Sequence, residues 1–226
     1  MKFPFVTLAL FATFAVAGCG SDAPATEAAA EQSAAPTPPA NTRRILFFGN
    51  SLTAGMGLDP EEAFPALIGQ KIDSARLGYT VINAGLSGET TAGGRSRIGW
   101  VLRQPVEFFV LELGANDGLR GLPLADTRRN LQAIIDTVKK KSPQAQIILA
   151  GMQMPPNLGK AYAQDFQNIY PELAQKNNAV LIPFLLEGVA GHVELNQKDG
   201  IHPTAKGDRI IAKTVWQVLL PLLKKA

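Results

Sequence analysis

Cysteine is almost missing: the chain of 226 residues has one, Cys19. No internal disulfide can form, and no Cys-x-x-Cys motif is available. Histidine is nearly as scarce. His192 and His202 stand alone, and neither lies in a His-Glu-x-x-His setting. A zinc site of common spacing is therefore excluded, and we expect no metal and no cofactor. The same scarcity leaves few candidates for a general base near neutral pH. Excess charge is small too, a net +3, and the cations are scattered. Lys139, Lys140 and Lys141 close a predicted helix, where they suit its negative end, and Lys224 and Lys225 form a short tail. No basic patch argues for a nucleic-acid partner.

What is present divides into unlike parts. Lys2 is followed by an apolar run, Phe3 to Ala17, and then by Val16-Ala17-Gly18-Cys19. The run falls short of the roughly 20 apolar residues of a spanning helix and reads as a secretory signal over residues 1–18. Val-Ala-Gly-Cys resembles a bacterial lipobox. The resemblance implies cleavage before Cys19 and lipid on its sulfur; the alternative is a plain signal peptide with an incidental cysteine. Residues 19–42 are rich in Ala, Pro, Thr, Ser and Glu and read as a flexible tether. These features predict an exported protein, lipid-anchored in the cell envelope and facing the periplasm. The membrane is then a partner through the anchor, and a folded domain fills residues 43–226.

That domain alternates strand and helix. Ile45 to Phe48, Thr80 to Asn83, Phe108 to Leu113, Gln146 to Ala150 and Val180 to Phe184 are short apolar runs that read as buried strands. Helices are predicted through Leu67, Ile68 and Ile72, over Arg95 to Arg103, and along Leu131, Ile134, Ile135 and Val138. Two more are predicted over Tyr162 to Gln175, with a break or restart at Pro171, and along Ile210, Ile211, Val215, Val218 and Leu219. Alternation of this kind means an α/β fold with a parallel sheet covered on both faces. Sites in such sheets form at the carboxyl ends of the strands.

Four polar clusters fall at those positions: Gly49-Asn50-Ser51-Leu52, Gly85-Leu86-Ser87-Gly88-Glu89, Gly114-Ala115-Asn116-Asp117 and Asp199-Gly200-Ile201-His202-Pro203. Each fits a role in acyl transfer. Ser51, held exposed in a tight turn, is the candidate nucleophile, and His202 the base that takes its proton. Asp199, three residues earlier, would orient the imidazole. The backbone N–H groups of Ser51 and Gly88 and the amide of Asn116 are the candidate oxyanion donors. Singly, each residue has a plainer reading. Ser51 is a turn serine or helix cap, Gly88 a turn glycine, Asn116 and Asp117 loop caps, and His192 a loop histidine. Their joint occurrence in this order at strand ends favours chemistry.

Residues from about Arg43 to Leu223 resemble the SGNH (GDSL-type) hydrolases, most closely the branch of thioesterase I, lysophospholipases and bacterial arylesterases. Ser51, Gly88, Asn116 and His202 sit in the four blocks that name that family. Leu113 to Gly121 and Met154 to Gly159 resemble the branch's third block and its substrate-side loop. The resemblance implies a three-layer α/β/α sandwich, flavodoxin-like, around a central parallel sheet. It also implies a serine ester hydrolase working through an acyl-enzyme, with Met154, Pro155 and Asn157 beside the substrate. Small acyl esters and lysophospholipids are the expected substrates. One residue departs from the Gly-Asp-Ser-Leu pattern: the second is Asn50. An aspartate there would add charge near a charged His202, so we expect Asn50 to alter rate and pH dependence while sparing activity. Two alternatives stand beside this reading. One is a carbohydrate-deacetylating esterase of the same superfamily; the other is a catalytically impaired lipoprotein that binds ligands. An α/β-hydrolase is excluded, since Leu52-Thr53 follows Ser51 where that fold needs Gly-x-Ser-x-Gly. The sequence carries no reading of oligomeric state.

Overall fold

The computed structural model describes residues 43–155 and 158–225. The signal, Cys19 and tether readings lie outside the described residues, as does Asn157. Five strands form one parallel sheet: β1 (Arg43–Gly49), β2 (Tyr79–Gly85), β3 (Phe108–Glu112), β4 (Gln146–Ala150) and β5 (Val180–Ile182). Their order is β2-β1-β3-β4-β5, so the chain runs outward first to one edge and then to the other. Central β3 is buried along its whole length, which is why it reads as a continuous apolar run.

Among the described residues, seven α-helices complete the fold. They are α1 (Ser51–Ala54), α2 (Phe64–Ser74), α3 (Thr91–Val101), α4 (Ala115–Leu119), α5 (Leu124–Lys141), α6 (Lys160–Asn177) and α7 (Ala205–Leu223). α2 packs on α7, and α3 and α6 pack on α5, giving an α/β/α sandwich. Phe47 meets Phe64 of α2 edge-on at 5.6 Å between ring centroids. Phe48 and Phe109 lie 5.8 Å apart. Burying such rings removes apolar area from water at about 25 cal/mol per Å², the main term holding helices to sheet. Among the described residues, no helix is long and apolar enough to cross a membrane.

Two features depart from the sequence reading. α6 runs unbroken through Pro171. A proline inside a helix costs about 3 kcal/mol. Here the buried neighbours Ile169, Tyr170, Leu173 and Ala174 pin both sides of it to the core, and Tyr170 Oη donates to Leu113 O at 3.0 Å. Packing outweighs propensity at this site. α1 and α4 are the other departure: helices of four and five residues lie where only loops were expected. Both begin at the carboxyl ends of strands, and both carry residues of the site.

Candidate active site

The turn carrying Ser51 grows directly out of β1. Asn50 caps α1, its Oδ1 accepting from Leu52 N at 2.9 Å. Ser51 is then the first helical residue, and a first-turn N–H has no partner inside its own helix. Ser51 is 7% exposed, so it does not stand proud of the sheet as the sequence suggested. The short helix tucks it down, and His202 lies against its side chain. Gly49 and Gly85 permit this packing. A Cβ on Gly49 would collide with Thr53 Oγ1, and one on Gly85 with the backbone of Ala54.

Beneath this turn lies a residue that sequence reasoning passed over. Glu112 ends β3 in register with Gly49 and is 1% exposed. Its Oε2 accepts from Asn50 N at 3.1 Å, Thr53 N at 3.3 Å and Thr53 Oγ1 at 2.8 Å, and its Oε1 from Asn50 Nδ2 at 2.7 Å. Burying a carboxylate costs several kcal/mol. Hydrogen bonds to a charged group contribute about 1.5–3 kcal/mol each, so this shell offsets much of that cost. Burial still dominates and pushes the Glu112 pKa up to about 7, against the pull of its donors. The available signal was a lone acidic residue closing the run Phe108-Phe109-Val110-Leu111.

The histidine arrives from a different kind of structure. Gln197 N donates to His202 O at 2.7 Å, Thr204 N donates to Leu195 O at 2.9 Å, and Asn196 bridges Pro203 in antiparallel fashion. This narrow hairpin, just before α7, carries Asp199 and His202 near its tip. Asp199 Oδ1 accepts from Ile201 N at 2.9 Å and His202 N at 3.0 Å, while Oδ2 meets His202 Nδ1 at 2.6 Å. The backbone N–H and then the ring of His202 hold the Asp199 carboxyl well below the usual carboxylate range, so it stays ionised. An ionised Asp199 accepts from Nδ1–H and leaves Nε2 as the acceptor. Nε2 lies 2.9 Å from Ser51 Oγ. Gln197 ties the hairpin to the serine side, its Nε2 donating to Met56 O at 2.7 Å and Pro203 O at 2.9 Å.

The two remaining clusters meet across the same edge. Gly88 has a φ of 78° and is exposed. Among the described residues, neither its N–H nor that of Ser51 has a hydrogen-bond partner. Asn116, in the first turn of α4, donates from Nδ2 to Glu89 O at 3.0 Å, which fixes the amide's orientation. Asp117 is a cap rather than a reacting group: buried, it accepts from Thr91 N at 2.8 Å and so anchors α3 to α4. Arg97, a residue the sequence reading did not weigh, braces the second cluster. It pairs with buried Glu89 at 2.5 Å and donates to Ala84 O at 2.8 Å, with its guanidinium 4.2 Å above the Phe48 ring.

Met154, expected beside the substrate, is buried with its thioether against Gly118 of α4. Pro155 is exposed beside it. Asn50 is 1% exposed and bonded to Glu112 and Leu52, and its Oδ1 lies 3.5 Å from Ser51 Oγ, so position 50 flanks the serine as expected. His192 is an exposed loop residue, as expected, its side chain 3.8 Å from Glu194.

Serine, imidazole and carboxylate thus form one hydrogen-bonded line at a strand edge, with free N–H groups and a fixed amide nearby. Such a set can activate a hydroxyl and bind an oxyanion. Known proteins resemble this chain throughout the domain. The GDSL-like lipase/acylhydrolase family model matches residues 47–210. An arylesterase of Vibrio mimicus is 37% identical over 180 residues, which cover 79% of this chain and 89% of that protein. A protein of Escherichia coli described as a thioesterase, protease and lysophospholipase is also 37% identical over 180 residues, covering 79% of this chain and 84% of that one. The crystal structure of TesA matches with a TM-score of 0.76 at 36% identity, over 80% of this chain and 99% of that chain. With the motif residues gathered at one sheet edge, the chain belongs to the GDSL-like lipase/acylhydrolase family and is an ester hydrolase of the SGNH type.

Proposed function

We propose that Ser51 is the nucleophile of an acyl-enzyme mechanism, His202 its general base and acid, and Asp199 the residue that orients the imidazole. The observation that carries this is the line of contacts: 2.9 Å from Ser51 Oγ to His202 Nε2 and 2.6 Å from Nδ1 to Asp199. Ser51 Oγ attacks the substrate carbonyl carbon while its proton passes to Nε2. The oxyanion is received by the N–H groups of Ser51 and Gly88 and by Asn116 Nδ2. Collapse breaks the ester C–O bond, the leaving alcohol takes the proton from Nε2, and the acyl group stays on Ser51. Water then gives a proton to Nε2 and attacks the acyl carbon; the bond from that carbon to Ser51 Oγ breaks, Nε2 returns the proton to Oγ, and the carboxylic acid leaves. That the line stays in contact with Asn50 in place supports turnover over mere ligand binding.

The substrates we propose are short-to-medium acyl esters and lysophospholipids, met at a membrane surface. Lipid on Cys19 would hold the protein in the envelope, facing the periplasm, with residues 19–42 as tether. Export argues against an intracellular acyl thioester as the natural substrate. The test is a series of nitrophenyl esters of rising chain length, run beside a lysophospholipid and an acetylated oligosaccharide. We expect turnover of the acyl esters and the lysophospholipid. Turnover of the acetylated sugar alone would replace this reading with a carbohydrate deacetylase. For the anchor, Cys19→Ser should move the protein to the soluble fraction at unchanged specific activity; wild-type protein lacking lipid by mass spectrometry would remove that claim.

A further inference from the structure

We propose that Glu112 is a positioning residue for Ser51, clamping the nucleophile turn from below as a carboxylate, and that Asn50 is the partner that makes an ionised Glu112 compatible with that turn. This rests on Ser51 being the nucleophile, which labelling of the unaltered protein tests separately.

Glu112 makes no hydrogen bond to Ser51. It binds the residues on either side, through Asn50 N, Thr53 N, Thr53 Oγ1 and Asn50 Nδ2. The backbone carrying Ser51 is therefore fixed at both ends by one side chain. Every group facing this carboxyl is a donor. The Asn50 amide has one possible orientation, because its Oδ1 must accept from Leu52 N at 2.9 Å. Its NH₂ must then face Glu112. A carboxylate accepts from all these donors, whereas a protonated carboxyl would turn its own hydrogen toward one of them. Gly49 leaves the space, since a Cβ there would collide with both Thr53 and Glu112. The ionisable neighbour on the far side is Tyr170 of α6, whose hydroxyl donates to Leu113 O. Burial, and then the charges of Glu112 and Asp117, push that phenol well up, so it stays neutral.

The motif residue explains why the pair matters. An aspartate at position 50 would place an oxygen where Asn50 Nδ2 now stands, 2.7 Å from Glu112 Oε1. Two carboxyl groups at that distance must share a proton. Asn50 removes the need for one. A specific pattern of coupling is therefore expected, rather than a general loss.

Four proteins test it: wild type, Glu112→Gln, Asn50→Asp and the double variant. In Glu112→Gln one end of the new amide is a donor facing donors, so kcat should fall by about tenfold or more with KM nearly unchanged. Labelling of Ser51 by a fluorophosphonate should slow by the same factor. In the double variant the NH₂ of the new amide at position 112 donates to the new carboxylate at position 50. Its oxygen still accepts from Thr53, so kcat should recover most of the loss. Asn50→Asp alone should gain an alkaline limb in kcat/KM, where the shared proton leaves. Wild-type kcat in Glu112→Gln overturns the proposal, as do single effects that merely add in the double variant. A purely structural role would lower Tm and leave kcat per labelled serine unchanged, which also overturns it. Should Glu112→Gln fail to fold, Thr53→Val removes only the hydroxyl donor. A lower kcat at constant KM then supports the clamp, and an unchanged kcat refutes it.

Discussion

Asn50, Ser51 and Thr53 are buried, and Asn50 and Thr53 are bonded to Glu112, which is 62 positions from Asn50. Asp199 has a 41% exposed side chain and is held by the backbone of its own turn. The same hydrogen-bonded line therefore joins a deeply supported half to a locally supported one. On the serine side, a substitution disturbs the end of the central sheet as well as the chemistry. On the histidine side, the hairpin tip can change while the core stays intact. Gln197 and the Ser51–His202 contact are polar ties between the halves.

The largest expected effect separates the halves most cleanly. His202→Ala should lower kcat by about 10,000-fold or more while Tm stays within a degree or two of wild type. A large drop in Tm would show that the hairpin is not the independent unit its hydrogen bonds describe.

Next comes the oxyanion side. Asn116→Ala removes an amide oriented by Glu89 O and should cost about 100–1,000-fold in kcat, with little change in KM. An effect confined to KM would make Asn116 a pocket wall.

The smallest effect concerns pH and sharpens the buried side. Burial pushes the pKa of Glu112 and of Asp208 up to about 7, so the carboxylate clamp at Glu112 forms as pH rises through that value. Asp208, on α7, accepts from Phe64 N at 2.9 Å and so caps α2. Between the ordinary carboxylate range and about pH 7, the folded state holds protons that the unfolded chain has released. Stability should therefore fall as pH rises through that window and level off above it, by at most about 3–4 kcal/mol per group. Thermal melts from pH 5 to 8 measure this. Asp208→Asn should flatten the slope by about half, and a slope unchanged by that variant would sever Asp208 from the effect.

The two halves also differed in how plainly the sequence announced them. Asp199-Gly200-Ile201-His202 is local: spacing alone brings the carboxylate to the ring, and the structure places it there at 2.6 Å. The five strands were legible because buried parallel strands are short apolar runs. Helices α1 and α4 were not, because four or five residues carry no helical period. Glu112 hid for a further reason. It is distant in sequence from everything it binds, and only the β1–β3 register puts it beside Gly49. Asn50 was legible as a neighbour of the site, its Oδ1 3.5 Å from Ser51 Oγ, but its bond to Glu112 was not, for the same reason.

The central claim is that Ser51 forms the covalent intermediate. The direct test treats the full chain with a fluorophosphonate and locates the adduct by peptide mass spectrometry, beside Ser51→Ala and Ser87→Ala. Ser87 is the exposed serine of the second cluster. The expected result is one adduct per chain on Ser51, a folded but unlabelled and inactive Ser51→Ala protein, and a Ser87→Ala protein that keeps most of its activity. An adduct on Ser87, or turnover surviving in Ser51→Ala, would contradict it.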